Sequence, residues 1–241
     1  MRYPVILSCE HAHNKVPTEY KYFFGNGEED LNSHLGWDPG ALKITNKLAS
    51  LLGVKSFVYP FTRLLIEPNR SENHPQLFSK YTEALTLQEK NFLLKSYYHP
   101  YRREVSDAVQ KQIDLTEFAI HISVHTFTSV YHGKVRAVDI GILFDPNRQQ
   151  ETSFARILRG AISSDDLVVK YNEPYQGTDD GFTTTLRTKF GDDQYLGIEL
   201  EINQKFENKE LDHVSVVLSS SVLKAIKKYE NSRTGSQERG V

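Results

Sequence analysis

The sequence predicts a three-layer α/β domain with a mainly parallel mixed sheet. Short apolar runs recur along the whole chain, and segments with apolar residues at helical spacing separate them, the alternation that builds crossover-connected parallel strands. With 39% of its 241 residues hydrophobic, the chain can bury a sizeable core. No linker, internal repeat or low-complexity stretch divides it, so one domain over residues 1–230 is expected, followed by a disordered polar tail over 231–241.

Residues 4–9, with Val5, Ile6 and Leu7, read as a buried strand that stops in Glu10, His11 and His13. Residues 14–36 read as a loop with a short helical piece. Asp38-Pro39 opens a helix, Asp as N-cap and Pro at the first helical position. Ala41, Ile44, Leu48, Leu51 and Leu52 carry that helix to Gly53. Val54–Tyr59 is the second strand, and Leu64–Ile66 a short strand or extended turn. Residues 71–86 are irregular, and 87–116 form one or two helices interrupted at Pro100. Residues 118–125 make the next strand, Gly133 allows a turn, and Ala137–Phe144 is another strand. A helix over 150–162, a short strand over 167–170 and a polar stretch to Gly191 follow. Residues 195–202 alternate Leu196, Ile198, Leu200 and Ile202 with Gly197, Glu199 and Glu201, the pattern of a half-buried strand. A helix over 212–229 closes the domain.

Composition excludes several classes. The net charge of −2 comes with dispersed lysines and arginines, so neither a nucleic-acid partner nor a charge-driven one is indicated. No phosphate loop or Gly-x-Gly-x-x-Gly follows a strand, and no run is long enough for a signal peptide or a membrane span. The single cysteine, Cys9, rules out an intramolecular disulfide and a cysteine-rich zinc site. A reducing, cytoplasmic setting is expected, and a metal must be held by His, Asp and Glu.

Two apolar strands about a hundred residues apart both end in histidine, at His11 and His125. On a regular strand adjacent residues face opposite sides, so Glu10 and His11 share a cavity only if a turn re-aims one of them. His121, four residues before His125, sits deeper in the sheet and reads as a hydrogen-bonded core histidine. Asp38 fits an N-cap, although a carboxylate there can also hold a metal. Arg63 and Asn69-Arg70 suit recognition of a carboxylate, because the guanidinium fork binds one bidentately; ordinary surface charges are the alternative. Glu199 and Glu201 share one face of their strand, which predicts a polar cavity with a catalytic base on that face, or a solvated sheet face. Cys9 lies at an apolar strand position, the usual place of an inert thiol, and no Gly-x-Ser-x-Gly elbow supports serine hydrolysis.

Seven motifs occur here in a familiar order: Ser8-Cys-Glu-His-Ala, His34-Leu-Gly-Trp-Asp-Pro-Gly-Ala41, Thr62 to Arg70, Tyr98-His-Pro-Tyr101, Val124-His-Thr-Phe-Thr128, Asn172 to Gly177 and Ile198-Glu-Leu-Glu-Ile202. Together they resemble the N-formylglutamate amidohydrolase family over about residues 3–206. The resemblance implies a phosphorylase/hydrolase-like fold similar to zinc carboxypeptidases and aspartoacylases, and deformylation of a small acidic acyl-amino acid, as in histidine degradation. It further implies Zn²⁺ held by His11, His125 and a carboxylate. Asp38 matches that acid, with Glu10 as runner-up. Glu201 rather than Glu199 matches the general base, Arg63 is matched to oxyanion or substrate binding, and Asn69, Arg70, Asn172 and Tyr175 to substrate binding. The chain departs from the pattern at Glu67, where the family often has Asp, and at Arg102, where it often has His. Both changes lie around the substrate end, so the acyl group is left open. A carboxypeptidase or other deacylase on the same fold is one rival, and a non-catalytic binding protein on a degenerate scaffold is another.

Overall fold

A computed structural model describes residues 4–162 and 166–237. Six strands form the central sheet: β1 (Val5–Cys9), β2 (Ser56–Val58), β3 (Ala119–Phe127), β6 (Ile140–Leu143), β7 (Val169–Tyr171) and β8 (Tyr195–Asn203). A separate hairpin, β4 (Val130–Tyr131) and β5 (Lys134–Val135), turns at His132 and Gly133, both with positive φ. The sheet order is β2-β1-β3-β8-β6-β7. The first four strands run parallel. β6 is antiparallel to β8 and β7 parallel to β6, so the sheet is mixed and mainly parallel, as expected.

Seven α-helices accompany it among the described residues: α1 (Glu28–Asn32), α2 (Ala41–Leu52), α3 (Leu87–Leu93), α4 (His99–Thr116), α5 (Gln149–Ala161), α6 (Phe182–Lys189) and α7 (Asn208–Gln237). The two sheet faces carry different cores, because side chains alternate along each strand. Leu7, Ile122, Val124 and Leu200 face Ile44 and Leu48 of α2, Phe154 of α5 and Leu218 of α7. The opposite face packs Ile6 and Tyr195 with Val105 and Val109 of α4 and Phe182 and Leu186 of α6. On that second face the central strands also present Ser8, His121, Ser123 and His125, all buried.

Several elements differ from the sequence reading. The helix expected from Asp38 starts at Ala41; Gly40, in the left-handed region at φ 92°, precedes it, and no side chain caps it. The Asp38 carboxylate is engaged elsewhere. Residues 87–116 are helical through Pro100, because a π turn at Leu94–Tyr98 joins α3 to α4 and the His99 N–H reaches back to the Leu94 carbonyl. That wide turn accommodates a proline that an unbroken α-helix would not. The polar stretch before Gly191 contains α6, whose Thr-Thr-Thr run has poor helix propensity and which is held by burial of Phe182 and Leu186. β8, read as half-buried, is buried throughout except at Glu199. α7 continues to Gln237 instead of ending at 229, while residues 238–241, part of the expected tail, lie outside the described residues. Among the described residues no helix is long and apolar enough to cross a membrane.

Candidate active site and metal centre

β1 stops at Cys9 and the chain turns at Glu10 and His11. The turn re-aims His11 onto the polar side of the sheet, so Glu10 and His11 serve one region despite being neighbours. Parallel pairing sets β3 beside β1 and brings His125 into range, while Asp38 arrives on the turn before α2, its N–H bonded to the His11 carbonyl at 2.8 Å.

Asp38 Oδ2 lies 3.3 Å from His11 Nδ1 and 3.0 Å from His125 Nδ1, and the two ring nitrogens are 3.1 Å apart. Three lone-pair-bearing atoms thus surround one point, and all three residues are buried. In a tetrahedral zinc site with bonds of about 2.0–2.1 Å, neighbouring ligand atoms stand about 3.3 Å apart, so this spacing fits such an ion. Burial opposes charge here, but hydrogen bonds to the carboxylates of Asp38 and Glu10 push the His125 imidazole well above its usual range. Burial likewise opposes the Asp38 charge, and both histidines together hold its carboxyl well below the carboxylate range.

The far nitrogen of each ring is also held. His11 Nε2 meets Glu67 Oε1 at 2.6 Å. His125 Nε2 meets Ser123 Oγ at 2.9 Å and Glu10 Oε2 at 3.2 Å. Carboxylates on the outer nitrogens orient the inner ones toward a metal. Glu10 is therefore outside the converging trio: it is fully buried behind His125, where the Tyr101 hydroxyl donates to it at 2.8 Å and the Ser123 hydroxyl donates as well. Sequence reasoning missed Glu67 as a histidine partner, and also Ser123 and Tyr101. Period-two alternation with His121 and His125 was a usable signal for Ser123. Glu67 showed only as a departure from the family pattern and Tyr101 only as a motif residue, since both reach the site from distant segments.

His11, Asp38 and His125 form one end of a cavity of about 170 Å³. Arg63, Asn69, Arg70, Tyr175, Glu199 and Glu201 line it too, together with Thr126, Leu143, Gln176, Asp179 and Asp180, which sequence reasoning did not single out. Glu201 pairs in register with His125 across β3 and β8. It is 6% exposed, and its Oε2 has no hydrogen-bond partner among the described residues. Burial, reinforced by the charges of Asp38 and Glu199 and only partly offset by His125, raises its carboxyl to about 8. Glu199 instead accepts from the Thr183 hydroxyl.

Arg63 holds Glu67 Oε2 at 2.6 Å through Nε and Nη2 and stands 3.6 Å from Asp38 Oδ1. Arg70 donates to the Asp180 carbonyl, and Asn69 Oδ1 accepts the Phe182 N–H at 2.8 Å. Tyr175, at the mouth, accepts from Arg136 at 3.2 Å. Asn172 does not line the cavity. Its Oδ1 accepts the N–H groups of Phe144 at 2.9 Å and Gly177 at 3.2 Å, and so shapes the 172–177 loop. Gly177 must lack a side chain, because a Cβ there would meet the Phe144 nitrogen at 2.2 Å.

Outside the cavity, His121 bonds Tyr195 Oη at 2.7 Å and Ser8 Oγ at 2.8 Å, and burial lowers it to about 4, the neutral core histidine expected. Burial pushes Cys9 up to about 12, as an inert thiol requires. His13 is half-buried and takes no part in the trio.

A family model described as N-formylglutamate amidohydrolase matches residues 3–206. The chain belongs to the N-formylglutamate amidohydrolase family. Gene product Atu2144 from Agrobacterium tumefaciens is similar in structure, with a TM-score of 0.83 and 28% identity over 95% of this chain and 92% of that one. N-formylglutamate amidohydrolase from Ralstonia eutropha JMP134 shares the fold, with a TM-score of 0.72 and 15% identity over 97% and 95% of the two chains. A search of curated proteins finds no match. Family membership sets this chain among hydrolases of amides, and its seven motifs meet largely around one cavity.

Proposed function

We propose that this protein hydrolyses the amide of a small N-acyl amino acid with a free carboxylate, N-formylglutamate-like, and that His11, Asp38 and His125 hold the divalent metal it uses, zinc by choice of donors. The observation that carries this reading is the convergence of three donor atoms at one end of a cavity that also holds a buried, unpartnered Glu201 oxygen. A metal bound there would polarise the amide carbonyl and acidify a water.

The chain's own groups supply the rest. Glu201, across the strand pair from His125, accepts the proton of the attacking water and returns it to the leaving nitrogen. Burial raises its carboxyl to about 8, and a cation held by the trio would favour the ionised form that a general base needs. Arg63 presents positive charge beside Asp38, where the carbonyl oxygen becomes negative. Arg70 and Asn69, farther along the wall, bind the substrate carboxylate. Glu10 and Glu67 orient the two histidines.

The test combines metal analysis of purified protein with rates on N-formyl and N-acetyl amino acids and dipeptides. His11→Ala and His125→Ala are expected to lose both stoichiometric metal and turnover. Retention of both by both variants would refute the reading, and a preference for dipeptides would assign the site to a peptidase instead.

A further inference from the structure

One buried charge plays no part in the chemistry above. Arg102, in the first turn of α4, is 8% exposed, and no carboxylate lies within salt-bridge distance of it among the described residues. Burying a guanidinium without an anionic partner is costly, so its hydrogen bonds must serve a geometric purpose. Its Nη1 donates to the carbonyl oxygens of Pro68 at 2.9 Å and Arg70 at 3.1 Å, and its Nη2 to Thr185 Oγ1 at 2.7 Å. The guanidinium carbon lies 4.2 Å from the Phe182 ring centroid and 4.9 Å from that of Tyr98. Tyr98 adds a fourth tie, its hydroxyl donating to the Arg70 carbonyl at 2.8 Å.

These acceptors are not scattered. Pro68 and Arg70 flank Asn69, so the two carbonyls fix the backbone from which Asn69 and Arg70 reach the cavity. Thr185 and Phe182 belong to α6, whose Phe182 N–H is bonded to Asn69 and whose Thr183 hydroxyl is bonded to Glu199. Ser71 N–H and Arg70 in turn bind Asp180, just ahead of α6. An irregular segment, 67–71, and the loop leading into the first turn of α6, 179–185, therefore form one wall, and Arg102 is the only side chain from a third element that donates to both in the bonds described. Neither segment has a sheet ladder of its own to hold it.

We propose that Arg102 is a positioning residue: its planar fork locks the Asn69-Arg70 loop to α6 and thereby sets the substrate-carboxylate end of the cavity without touching the metal end. This rests on the reading that Asn69 and Arg70 bind substrate. Lysine cannot replace it, because one ammonium nitrogen cannot stand where both Nη1, at the Pro68 and Arg70 carbonyls, and Nη2, at Thr185, stand.

Hydrogen–deuterium exchange and steady-state kinetics on the full chain test the proposal, with Arg102→Lys, Arg102→Met and the milder Thr185→Val. Exchange is expected to quicken at 67–71 and 179–185 in all three, with β1 and β3 still protected. The kinetics should show kcat/KM lower by about ten- to hundredfold for the Arg102 variants, the scale of an ångström-sized misplacement, carried by KM rather than kcat. Bound metal should stay at the wild-type level. Wild-type exchange in both segments overturns the proposal, as does a loss of kcat together with metal at unchanged KM. If the wild-type protein hydrolyses no N-acyl amino acid, the functional reading falls, and exchange in the two segments still decides for or against the clamp.

Discussion

Replacing Glu201 with Gln separates the electrostatics of the site from its catalysis. Burial first, then Asp38 and Glu199, raise the Glu201 carboxyl to about 8, whereas an exposed glutamate titrates near about 4.3. Between those two values the folded protein keeps a proton that the unfolded chain has lost. Stability from this group is therefore fully present below the unfolded value, declines as pH rises, and is gone above the folded one. The gap corresponds to up to about 5 kcal/mol when both states are ionised. Glutamine has no proton to lose at this position. Chelator-treated Glu201→Gln should match the wild type in urea denaturation near pH 4 and exceed it increasingly toward pH 9. The same variant, reloaded with metal, should lose about 10²- to 10⁴-fold in kcat, the worth of a general acid–base group. A stability difference that stays flat across the pH range would refute the electrostatic argument. Hydrolysis within tenfold of wild type would remove Glu201 from the mechanism.

Three further outcomes follow from the same geometry. Glu10→Gln should weaken metal affinity about 10–100-fold and still bind one metal at saturation, because Glu10 supports His125 from its outer nitrogen; outright loss of the metal, as for Asp38→Ala, would make Glu10 a ligand. Asn172→Ala should cost about 1–3 kcal/mol in denaturation through the unpaired N–H groups of Phe144 and Gly177, and a jump in KM without loss of stability would return Asn172 to substrate binding. Cys9, its thiol pushed up to about 12 by burial, should not react with a thiol-specific disulfide reagent in the native protein at pH 8 and should react once unfolded.

Much of the architecture could be read locally. Apolar runs and period-two alternation marked β1, β3 and β8, since a strand buried on a packed sheet needs little beyond its own residues to declare itself. Strand-end position singled out His11 and His125, and two acids on one face of β8 pointed to a polar cavity. The motif order marked the family. Where local signals competed, the reading slipped: Asp38 looked like a helix cap because Asp-Pro is a strong cap pattern, yet its carboxylate has two imidazoles and the Thr126 N–H to bind. The Thr-rich α6 lacked the propensity to be seen at all.

What folding in three dimensions decided is the division of labour among the acids. Along the chain Asp38 is the first candidate ligand and Glu10 the runner-up, and only the turn after β1 and the pairing with β3 send Glu10 to the outer nitrogen of His125 and Asp38 to the inner. Glu67 and Tyr101 act on residues dozens of positions away, so no sequence window contains both partners. Arg102 stood out in the motif only as a departure from the family pattern; its meaning comes from carbonyls and a hydroxyl that two distant segments bring to it. Strand identity follows from short-range periodicity, whereas ligand choice, proton affinity and loop position follow from distances between residues far apart in the chain, which packing alone sets.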